Sequence, residues 1–293
     1  MSNRYAIILN PTANRGKASS ALPKIEKVLN ENNKEYEIIV TRRPNEATEI
    51  AKRLVAAKQQ IIIAAGGDGT VYEIINGIVN QDVQFGIIPL GSGNDFAQAL
   101  GYGKNLKKNI KILLQGNKHK VDLGKVNGQY FINNVSIGFD AVVAKTFNKG
   151  KNIMLGKAAY VAAIFKALWR LKTYQFRLTT SEFDKELNIT LVAITNTRSY
   201  GGGIPINPTA RIDDGFLNLC LVDKMSRSYL IKSLPKLLKG KHAQLPEVKM
   251  MTAKKITISS RQPLPISYDG EVIEDKNHLA IEVLPSAIEI IGK

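Results

Sequence analysis

Glycine-rich turns in the first third of the chain carry side chains that suit a phosphate group. The clearest is residues 66–70, Gly-Gly-Asp-Gly-Thr, between the apolar run 61–65 and a second apolar stretch that begins at Val71. A buried strand, a glycine turn and a helix start bring backbone N–H groups to one point, where they can bind phosphate. Asp68 adds a carboxylate suited to magnesium. The motif indicates phosphoryl chemistry, although the same residue types also form ordinary turns.

Two further turns have a related composition. Residues 10–17 read Asn-Pro-Thr-Ala-Asn-Arg-Gly-Lys and lack the spacing of a Walker A loop, while residues 89–96 read Pro-Leu-Gly-Ser-Gly-Asn-Asp-Phe. The carboxyl ends of neighbouring parallel strands meet at one edge of a sheet, so we expect Asp68 and Asp95 to converge on one magnesium ion, directly or through water. Either aspartate could instead cap a helix.

The elements that must position these turns alternate between apolar strands and amphipathic helices. In chain order we predict strand 5–9, helix 22–30, strand 36–40, helix 46–57, strand 61–65, strand 85–88 and a helical segment from about Asn94. Asn45 follows Pro44 and is expected to cap the second helix. The alternation predicts a parallel α/β layer.

After about residue 121 the pattern changes to short β-like runs separated by turn signals. The predicted strands are 129–135, 176–180, 187–194, 216–222, 255–259, 264–268 and 279–284, with helical insertions at 156–171 and 229–238. Such runs are typical of an antiparallel β-sandwich. We therefore predict an α/β domain over 1–123 and a β-sandwich domain over 124–284, with the tail of about 285–293 able to return to the first.

Charge and cysteine content limit the function classes. The 293 residues carry a net charge of +16. Three stretches contain no acid, namely those between Asp95 and Asp122, between Asp140 and Glu182, and between Asp223 and Glu247. Basic fields attract phosphorylated ligands, anionic lipid or nucleic acid. The chain shows no recognition-helix signature and no series of arginines interleaved with aromatics, so nucleic acid is not expected as a partner.

The single cysteine, Cys220, excludes an internal disulfide and a multi-cysteine metal cluster, and it fits a reducing compartment. We interpret it as a core residue. No metal-ligand spacing connects His119, His242 and His278. The sequence contains neither the apolar region of a signal peptide nor a run of about 20 apolar residues that could span a bilayer, so we expect a cytoplasmic protein.

Five motifs in register resemble the catalytic family of diacylglycerol kinases and sphingosine kinases, most nearly the soluble bacterial diacylglycerol kinases. They are the turn at 10–16, the turn at 66–70, Gly-Ser-Gly-Asn-Asp-Phe at 91–96, Ile-Asp-Asp-Gly at 212–215 and Asp-Gly-Glu at 269–271. The resemblance covers nearly the whole chain. It implies a lipid kinase that uses ATP and Mg²⁺, with an NAD-kinase-like or Rossmann-like nucleotide domain, a β-sandwich and an active site in the cleft between them.

The resemblance also implies site residues. The ATP pocket would be lined by Asn10, Pro11, Thr12, Ala13, Asn14, Thr41, Gly66, Gly67, Asp68, Gly69, Thr70, Val71, Tyr72, Glu73 and Ser92. Tyr72 departs from the asparagine that many members carry, which affects one polar contact near the nucleotide. Ser92 stands where threonine is frequent and keeps the hydroxyl.

Metal sites are implied in the same way. A carboxylate network of Asp68, Asp95 and Asp122 would surround the catalytic magnesium ion. A separate structural magnesium ion would be held by Asp214 and the backbone carbonyls of Arg211 and Phe216.

Glu271 is the candidate general base. It lies in a turn-like segment, Tyr268 to Val272, that can aim a side chain, and it matches the base of the family. An exposed hairpin glutamate is the ordinary alternative. Arg15 and Lys17 could help to neutralise the transferred phosphoryl group, or they could be solvated loop charges.

Two basic segments are candidates for docking to an anionic membrane surface, where the lipid substrate would be reached. The first is the segment 155–171, which mixes apolar, aromatic and cationic residues, and the alternative is a helix packed on the sandwich. The second comprises Lys232, Lys236, Lys239 and Lys241. We expect a cytoplasmic protein that associates peripherally with the membrane. A homodimer is possible.

The acceptor is less defined than the reaction. The resemblance favours diacylglycerol, which would be converted to phosphatidic acid, while phosphatidylglycerol, a sphingoid base or a polyprenol also offer a hydroxyl. An NAD-kinase-like enzyme with a soluble substrate and a non-catalytic lipid-binding regulator are the remaining alternatives.

Overall fold

The computed structural model describes residues 4–149 and 156–293. The chain forms two compact units, one made of Met1–Val121 and Ser286–Lys293, the other of Asp122–Pro285. The sequence prediction placed this boundary after residue 123 and the returning tail at about 285.

The first unit contains a parallel sheet of buried apolar strands. Its elements are β1 Tyr5–Leu9, α1 Leu22–Glu31, β2 Tyr36–Val40, α2 Glu46–Ala56, β3 Ile61–Gly66, α3 Asp68–Ile78, β4 Gln84–Pro89, α4 Asp95–Ala99 and α5 Leu106–Gln115. The strand order is β2-β1-β3-β4, and the end of the last strand of the chain joins β4 in parallel, with Ile290 opposite Phe85. Strands β1 and β3 are buried along their whole length because helices cover both faces of such a sheet. The predicted parallel α/β layer is confirmed.

Two details of the first unit differ from the sequence prediction. Asn45 was expected to cap α2, but it adopts a left-handed conformation (φ 63°) and its side chain makes no capping bond. The Glu73 carboxylate caps the helix instead, because it accepts a hydrogen bond from the N–H of Ala47 in the first turn, while Glu46 accepts one from the N–H of Arg43, which precedes the helix. Helix α5 was not predicted.

The second unit is built from antiparallel strands. They are β5 Lys118–Val126, β6 Gln129–Phe131, β7 Asn134–Gly138, β8 Tyr174–Thr179, β9 Asp184–Ile189, β10 Leu191–Thr195, β11 Leu217–Val222, β12 Val248–Ala253, β13 Lys255–Tyr268 and β14 Glu271–Ile291. The start of β5 and the end of β14 belong to the first unit. Neighbouring strands pair in the order β12-β11-β10-β7-β13-β14. In addition, β8 pairs with β13 and with β9, while β5 pairs with β14 and with β6. Their inward side chains form one core that includes Phe131, Ile194, Leu219 and Ile266. The predicted β-sandwich class is confirmed.

Several predicted strand limits were wrong. The run 129–135 is two strands because the chain bends at 132–133, and the run 187–194 is two strands interrupted at Thr190. The runs 255–259 and 264–268 instead form a single strand, since bulges between Ser259 and Ile266 let β13 bend without ending.

Three helices accompany the second unit. They are α6 Phe139–Lys149, α7 Gly156–Ala167, which continues as a 3₁₀ turn over Leu168–Arg170, and α8 Arg227–Leu238. They share a second apolar core with β10 and β11, in which Tyr160, Cys220 and Leu234 take part. Helices α7 and α8 correspond to the predicted insertions, whereas α6 was not predicted. Leu155, the first residue of the predicted docking segment, lies outside the described residues.

Candidate functional site

Three turns of the first unit meet at the carboxyl edge of β1, β3 and β4. Asn10 donates its backbone N–H to Ala65 O (3.0 Å) and its side-chain amide to Thr70 Oγ1 (3.0 Å). Leu90 donates its N–H to Gly66 O (2.7 Å). These bonds join the turns after β1, β3 and β4, so the prediction that the two glycine turns lie side by side is confirmed.

Close backbone contact explains several of the glycines. A Cβ on Gly91 would lie 2.5 Å from Gly67 Cα, and a Cβ on Gly66 would lie 2.4 Å from Thr70 Oγ1, so these two positions have no room for a side chain. Gly69 is different. A Cβ there would meet nothing within 4 Å, so packing inside the chain does not require a glycine at this exposed position.

Asp68 and Asp95 are neighbours, as predicted from the sequence. Asp68 Oδ2 accepts the N–H of Asp95 and Oδ1 accepts the N–H of Phe96, each at 3.2 Å, so Asp68 caps α4 from the adjacent turn. Asp95 is buried. Burial raises the pKa of Asp68, while the two N–H donors oppose that rise because they favour the carboxylate form. The helix-capping alternative therefore describes one role of Asp68, and its second role, as a magnesium ligand, stays a prediction.

The first turn is held by its own asparagine. Asn10 Oδ1 accepts the N–H (3.0 Å) and the hydroxyl (2.8 Å) of Thr12. Asn14 and Arg15 adopt left-handed conformations with φ of 52° and 59°. Thr41, also predicted near the nucleotide, is buried beside this turn and donates its N–H to Leu9 O (2.9 Å).

Other residues predicted for the ATP pocket differ in their surroundings. Ser92 is exposed, Val71 is buried and Tyr72 is partly buried. Glu73 is bonded to α2, because its Oε2 accepts the N–H of Ala47 (3.2 Å) and its carbonyl accepts the hydroxyl of Thr48 (2.7 Å). Its structural contacts are thus with a helix N-terminus, and its contact with a nucleotide stays a prediction.

Asp122 is bonded to the loop that carries the Ile-Asp-Asp-Gly motif. Its Oδ2 accepts the N–H of Gly215 (2.7 Å), and its own N–H donates to Ile212 O (2.7 Å). Within this loop Asp214 is exposed, and its Oδ1 accepts the N–H of Phe216 (3.0 Å). A carboxylate together with backbone carbonyls is an oxygen donor set that Mg²⁺ accepts, so the loop composition fits the predicted structural ion.

Within residues 4–149 and 156–293, no group of three His, Cys, Asp or Glu side chains could hold a metal ion by itself. A magnesium ion in a kinase is commonly held by one or two carboxylates, substrate phosphates and water. The pair formed by Asp68 and Asp95 fits that mode. The three-carboxylate network that also includes Asp122 stays a prediction.

The turn that carries Glu271 is fixed by its neighbour. Asp269 and Gly270 both have positive φ, 47° and 85°, as a tight hairpin between β13 and β14 requires. The Asp269 carboxylate accepts three backbone N–H groups from residues 132–134, at 2.7, 2.7 and 3.1 Å. Glu271 follows as an exposed side chain at the start of β14. The anchoring by Asp269 was not predicted, because its only signal in the sequence is an aspartate before glycine in a turn.

An apolar cavity of about 90 Å³ lies beside the helices of the second unit. Apolar side chains from α6, α7, α8 and the adjacent strands make up most of its wall, and its polar members include Asp140, Tyr160, Tyr200 and His242. Cys220 also lines it, and burial raises the pKa of that thiol to about 12. Sequence patterns gave no sign of it.

Comparisons with known proteins extend these observations. The model of the diacylglycerol kinase catalytic domain matches residues 4–126, and that of the YegS C-terminal NAD kinase beta sandwich-like domain matches residues 133–292. A Staphylococcus saprophyticus diacylglycerol kinase is 33% identical over 276 residues, 92% of this chain and 90% of the relative. A Staphylococcus epidermidis diacylglycerol kinase is 33% identical, covering 92% and 86%. A crystal structure of a diacylglycerol kinase from Bacillus anthracis str. Sterne is 26% identical, with a TM-score of 0.78 and coverage of 99% of this chain and 97% of that one. The matches confirm the resemblance carried by the five motifs.

Proposed function

The chain belongs to the diacylglycerol kinase family, and on that premise we propose that it transfers the γ-phosphoryl group of ATP to the free hydroxyl of diacylglycerol with the help of Mg²⁺. Family membership makes it a lipid kinase, an enzyme class that uses ATP. Diacylglycerol as the acceptor, phosphatidic acid as the product and the need for Mg²⁺ are the proposal. The observation that carries it is the meeting of three phosphate-compatible turns, with Asp68 among them, at one edge of the parallel sheet.

The first turn of α3 supports the nucleotide half of the proposal. Its first intrahelical bond runs from Val71 N–H to Gly67 O (3.1 Å), and the N–H groups that precede it in a helix have no acceptor within the helix. The helix dipole adds positive potential at the same place. Gly69 leaves that surface open. We infer that the phosphates of ATP bind there, with residues 10–14, Thr41 and Ser92 as further contacts.

The magnesium ion, when bound, would neutralise negative charge on the phosphates. Asp68 and Asp95 would supply carboxylate ligands to it, directly or through water. Asp214 and the carbonyls of Arg211 and Phe216 would hold the structural ion, and Asp122 would stabilise their loop through its bond to Gly215.

Glu271 would accept the proton of the acceptor hydroxyl. As that oxygen forms its bond to the γ-phosphorus, the bond between the γ-phosphorus and the bridging oxygen breaks and ADP leaves. The exposure of Glu271 and its rigidly anchored turn support this assignment. Loss of a general base costs typically 10²–10⁴-fold in rate.

The apolar cavity favours a lipid over a soluble acceptor. Its largely apolar wall offers a hydrocarbon chain the burial that drives binding, about 0.8 kcal/mol for each CH₂ group removed from water. A nucleoside substrate, as an NAD-kinase-like enzyme would use, needs polar partners along its length. We propose that the cavity receives one acyl chain of the acceptor.

A surface formed by Phe165, Trp169, Arg227 and Ile231 supports docking to an anionic membrane. The apolar side chains are exposed to 46%, 80% and 39% for Phe165, Trp169 and Ile231. The Arg227 guanidinium lies 5.3 Å from the centre of the Trp169 ring and donates to Trp169 O (3.1 Å). Exposed aromatics beside cations are typical of residues that insert at the headgroup level of a bilayer.

Both alternatives for the docking segment have support. Tyr160, Ile164 and Leu168 face the apolar core, as a helix packed on the sandwich requires, while Phe165 and Trp169 stay exposed. The lysine cluster at 232, 236, 239 and 241 is exposed and continues the basic surface of α8. In residues 4–149 and 156–293 the structure contains no helix long and apolar enough to cross a bilayer.

Trp169 is the only tryptophan of the chain, so its fluorescence reports on docking directly. Vesicles of phosphatidylglycerol should shift its emission to shorter wavelength, whereas vesicles of phosphatidylcholine should leave the spectrum unchanged. An unchanged spectrum while the protein sediments with anionic vesicles would assign docking to another surface.

The function itself is tested by transfer of γ-labelled phosphate from ATP. Wild-type protein is offered diacylglycerol, phosphatidylglycerol, a sphingoid base, a polyprenol and NAD in parallel, each with Mg²⁺ and with a chelator. We expect label in phosphatidic acid, and none when the metal is removed. Label in NAD, or in no acceptor, would reject the proposed activity, and label in another lipid would correct the acceptor.

A further inference from the structure

A continuous chain of hydrogen bonds connects the wall of the apolar cavity to the turn that carries Glu271. It begins at Asp140, in the first turn of α6, which lines the cavity. The hydroxyl of Tyr160 donates to Asp140 Oδ1 (2.6 Å), and that of Tyr200 donates to Oδ2. Ser136 donates its hydroxyl to the same Oδ2.

The chain continues from Ser136 to Asp269. The side-chain amide of Asn134 donates to Ser136 Oγ (2.8 Å), and the Asn134 backbone exchanges two bonds with Asp269, N–H to Oδ1 (3.1 Å) and O from the Asp269 N–H (3.0 Å). Asn134, Ser136 and Asp140 are all buried. We call Asn134, Ser136, Asp140 and Asp269 the polar bridge.

Helix α6 provides a second connection between the same two places. Asp140 lies near its start, and Asn148 near its end donates its side-chain amide to Gly270 O (2.7 Å). Gly270 immediately precedes Glu271. A shift of α6 at the cavity would therefore act on the turn through a side chain as well as through the polar bridge.

Stability alone is a poor explanation for such a network. A buried carboxylate must recover its lost hydration through hydrogen bonds, and well-packed apolar residues often stabilise a protein at least as much as a buried polar set. A fully bonded network does fix geometry, because each member is held by the others. Here the network extends from the wall of the cavity to the turn that carries Glu271.

We propose that the polar bridge positions Glu271 in response to a hydrocarbon chain in the cavity, so that chain binding raises kcat as well as lowering KM. The inference rests on the proposed function and makes Asp140, Ser136 and Asn134 positioning residues. Binding energy from a remote part of a substrate accelerates a reaction only when it is expressed at the reacting centre. A misplacement of about 1 Å at that centre can cost 10²-fold in rate.

The test compares diacylglycerols with short, medium and long acyl chains in mixed micelles. For wild-type protein, kcat should rise with chain length while KM falls. Ser136→Ala removes both the bond from Asn134 to Ser136 and the bond from Ser136 to Asp140, so kcat with long chains should drop about tenfold to the short-chain value. KM should keep its dependence on chain length, because the cavity wall is unchanged. A merely structural role would not separate kcat from KM in this way.

Ser136 is buried, so a second variant at an exposed position is needed in case Ser136→Ala does not fold. Asn148→Ala is that variant, because Asn148 is exposed. It removes the bond between Asn148 and Gly270, so kcat should depend less on acyl-chain length than in wild-type protein, as in Ser136→Ala. Asn188→Ala, at an exposed position on β9, is the matched control and should behave as wild type. Circular dichroism before each assay establishes that the variants are folded.

Combination with Glu271→Gln separates this inference from the proposed function. If the bridge acts through Glu271, adding Ser136→Ala to Glu271→Gln should leave the residual rate unchanged. An additional tenfold loss, or a wild-type kcat that does not depend on chain length, would overturn the inference. Failure of the proposed function is a different result, since no lipid would then be labelled or Glu271→Gln would keep the wild-type rate.

Discussion

The edge of the parallel sheet in the first unit and the Glu271 turn in the second unit are organised differently. At the sheet edge, the position of each turn is fixed by the buried strand that it directly follows, and the turns contact one another through glycine backbones. The Glu271 turn depends on residues far away in sequence, since Asp269 accepts hydrogen bonds from residues 132–134. Each turn of the proposed nucleotide site is thus a contiguous motif that the sheet places beside the others, while the turn that carries the proposed base is fixed by an anchor that the motif does not contain.

Apart from loss of Glu271 itself, removal of the distant anchor should give the largest effect. Asp269→Ala leaves three backbone N–H groups without their acceptor and frees the turn, so kcat should fall about 10²-fold. Affinity for ATP should stay at the wild-type value, because the proposed nucleotide turns belong to the first unit. Steady-state kinetics and calorimetric titration of an ATP analogue measure the two quantities.

Asp275→Ala, an exposed change on the same strand β14, is the control for that experiment. The unfolding free energy of Asp269→Ala should fall by about 1–3 kcal/mol, the usual penalty for unsatisfied buried donors. A variant that stays folded and keeps its wild-type kcat would remove the distinction between the two regions.

Two glycine substitutions test the local side of the comparison. Gly91→Ala places a Cβ 2.5 Å from the backbone of Gly67, so it should reduce the unfolding free energy by about 1–3 kcal/mol and separate the turns. Gly69→Ala meets no atom within 4 Å, so its unfolding free energy should not decrease. Its methyl group would instead occupy the proposed phosphate surface, and KM for ATP should rise about tenfold.

Equal losses of stability in the two variants would show that Gly69 has a packing role. An unchanged KM in a folded Gly69→Ala protein would place the phosphates elsewhere. Thermal unfolding and initial rates at varied ATP concentration distinguish these outcomes.

The smallest effect concerns pH and His242 in the cavity wall. Burial lowers the pKa of His242 from its ordinary value of 6.5. Below that value the unfolded chain binds a proton that the folded chain resists, so stability falls as pH falls. One proton contributes at most about 1.4 kcal/mol per pH unit. His242→Gln should reduce the acid dependence of the unfolding free energy, which chemical denaturation at several pH values measures.

The same distinction, between features set by neighbouring residues and features set by contacts distant in sequence, explains what the sequence could predict. The alternation of strands and helices, the adjacency of Asp68 and Asp95 and the β-sandwich follow from patterns within a few residues or from simple sheet geometry. The predicted cap at Asn45 was wrong because the carboxylate of Glu73, which comes from another helix, bonds to the first turn of α2 instead. Helix α6, the cavity and the polar bridge were missed because they depend on contacts between elements far apart in sequence.

The most direct test of this account measures nucleotide affinity and phosphoryl transfer on one sample of Glu271→Gln, with Glu274→Gln as an exposed control on the same strand. We expect wild-type affinity for an ATP analogue in the presence of Mg²⁺, together with a loss of diacylglycerol phosphorylation of about 10²-fold or more that the control does not show. Near-normal transfer by Glu271→Gln, or a loss of nucleotide affinity that matches its loss of transfer, would contradict it.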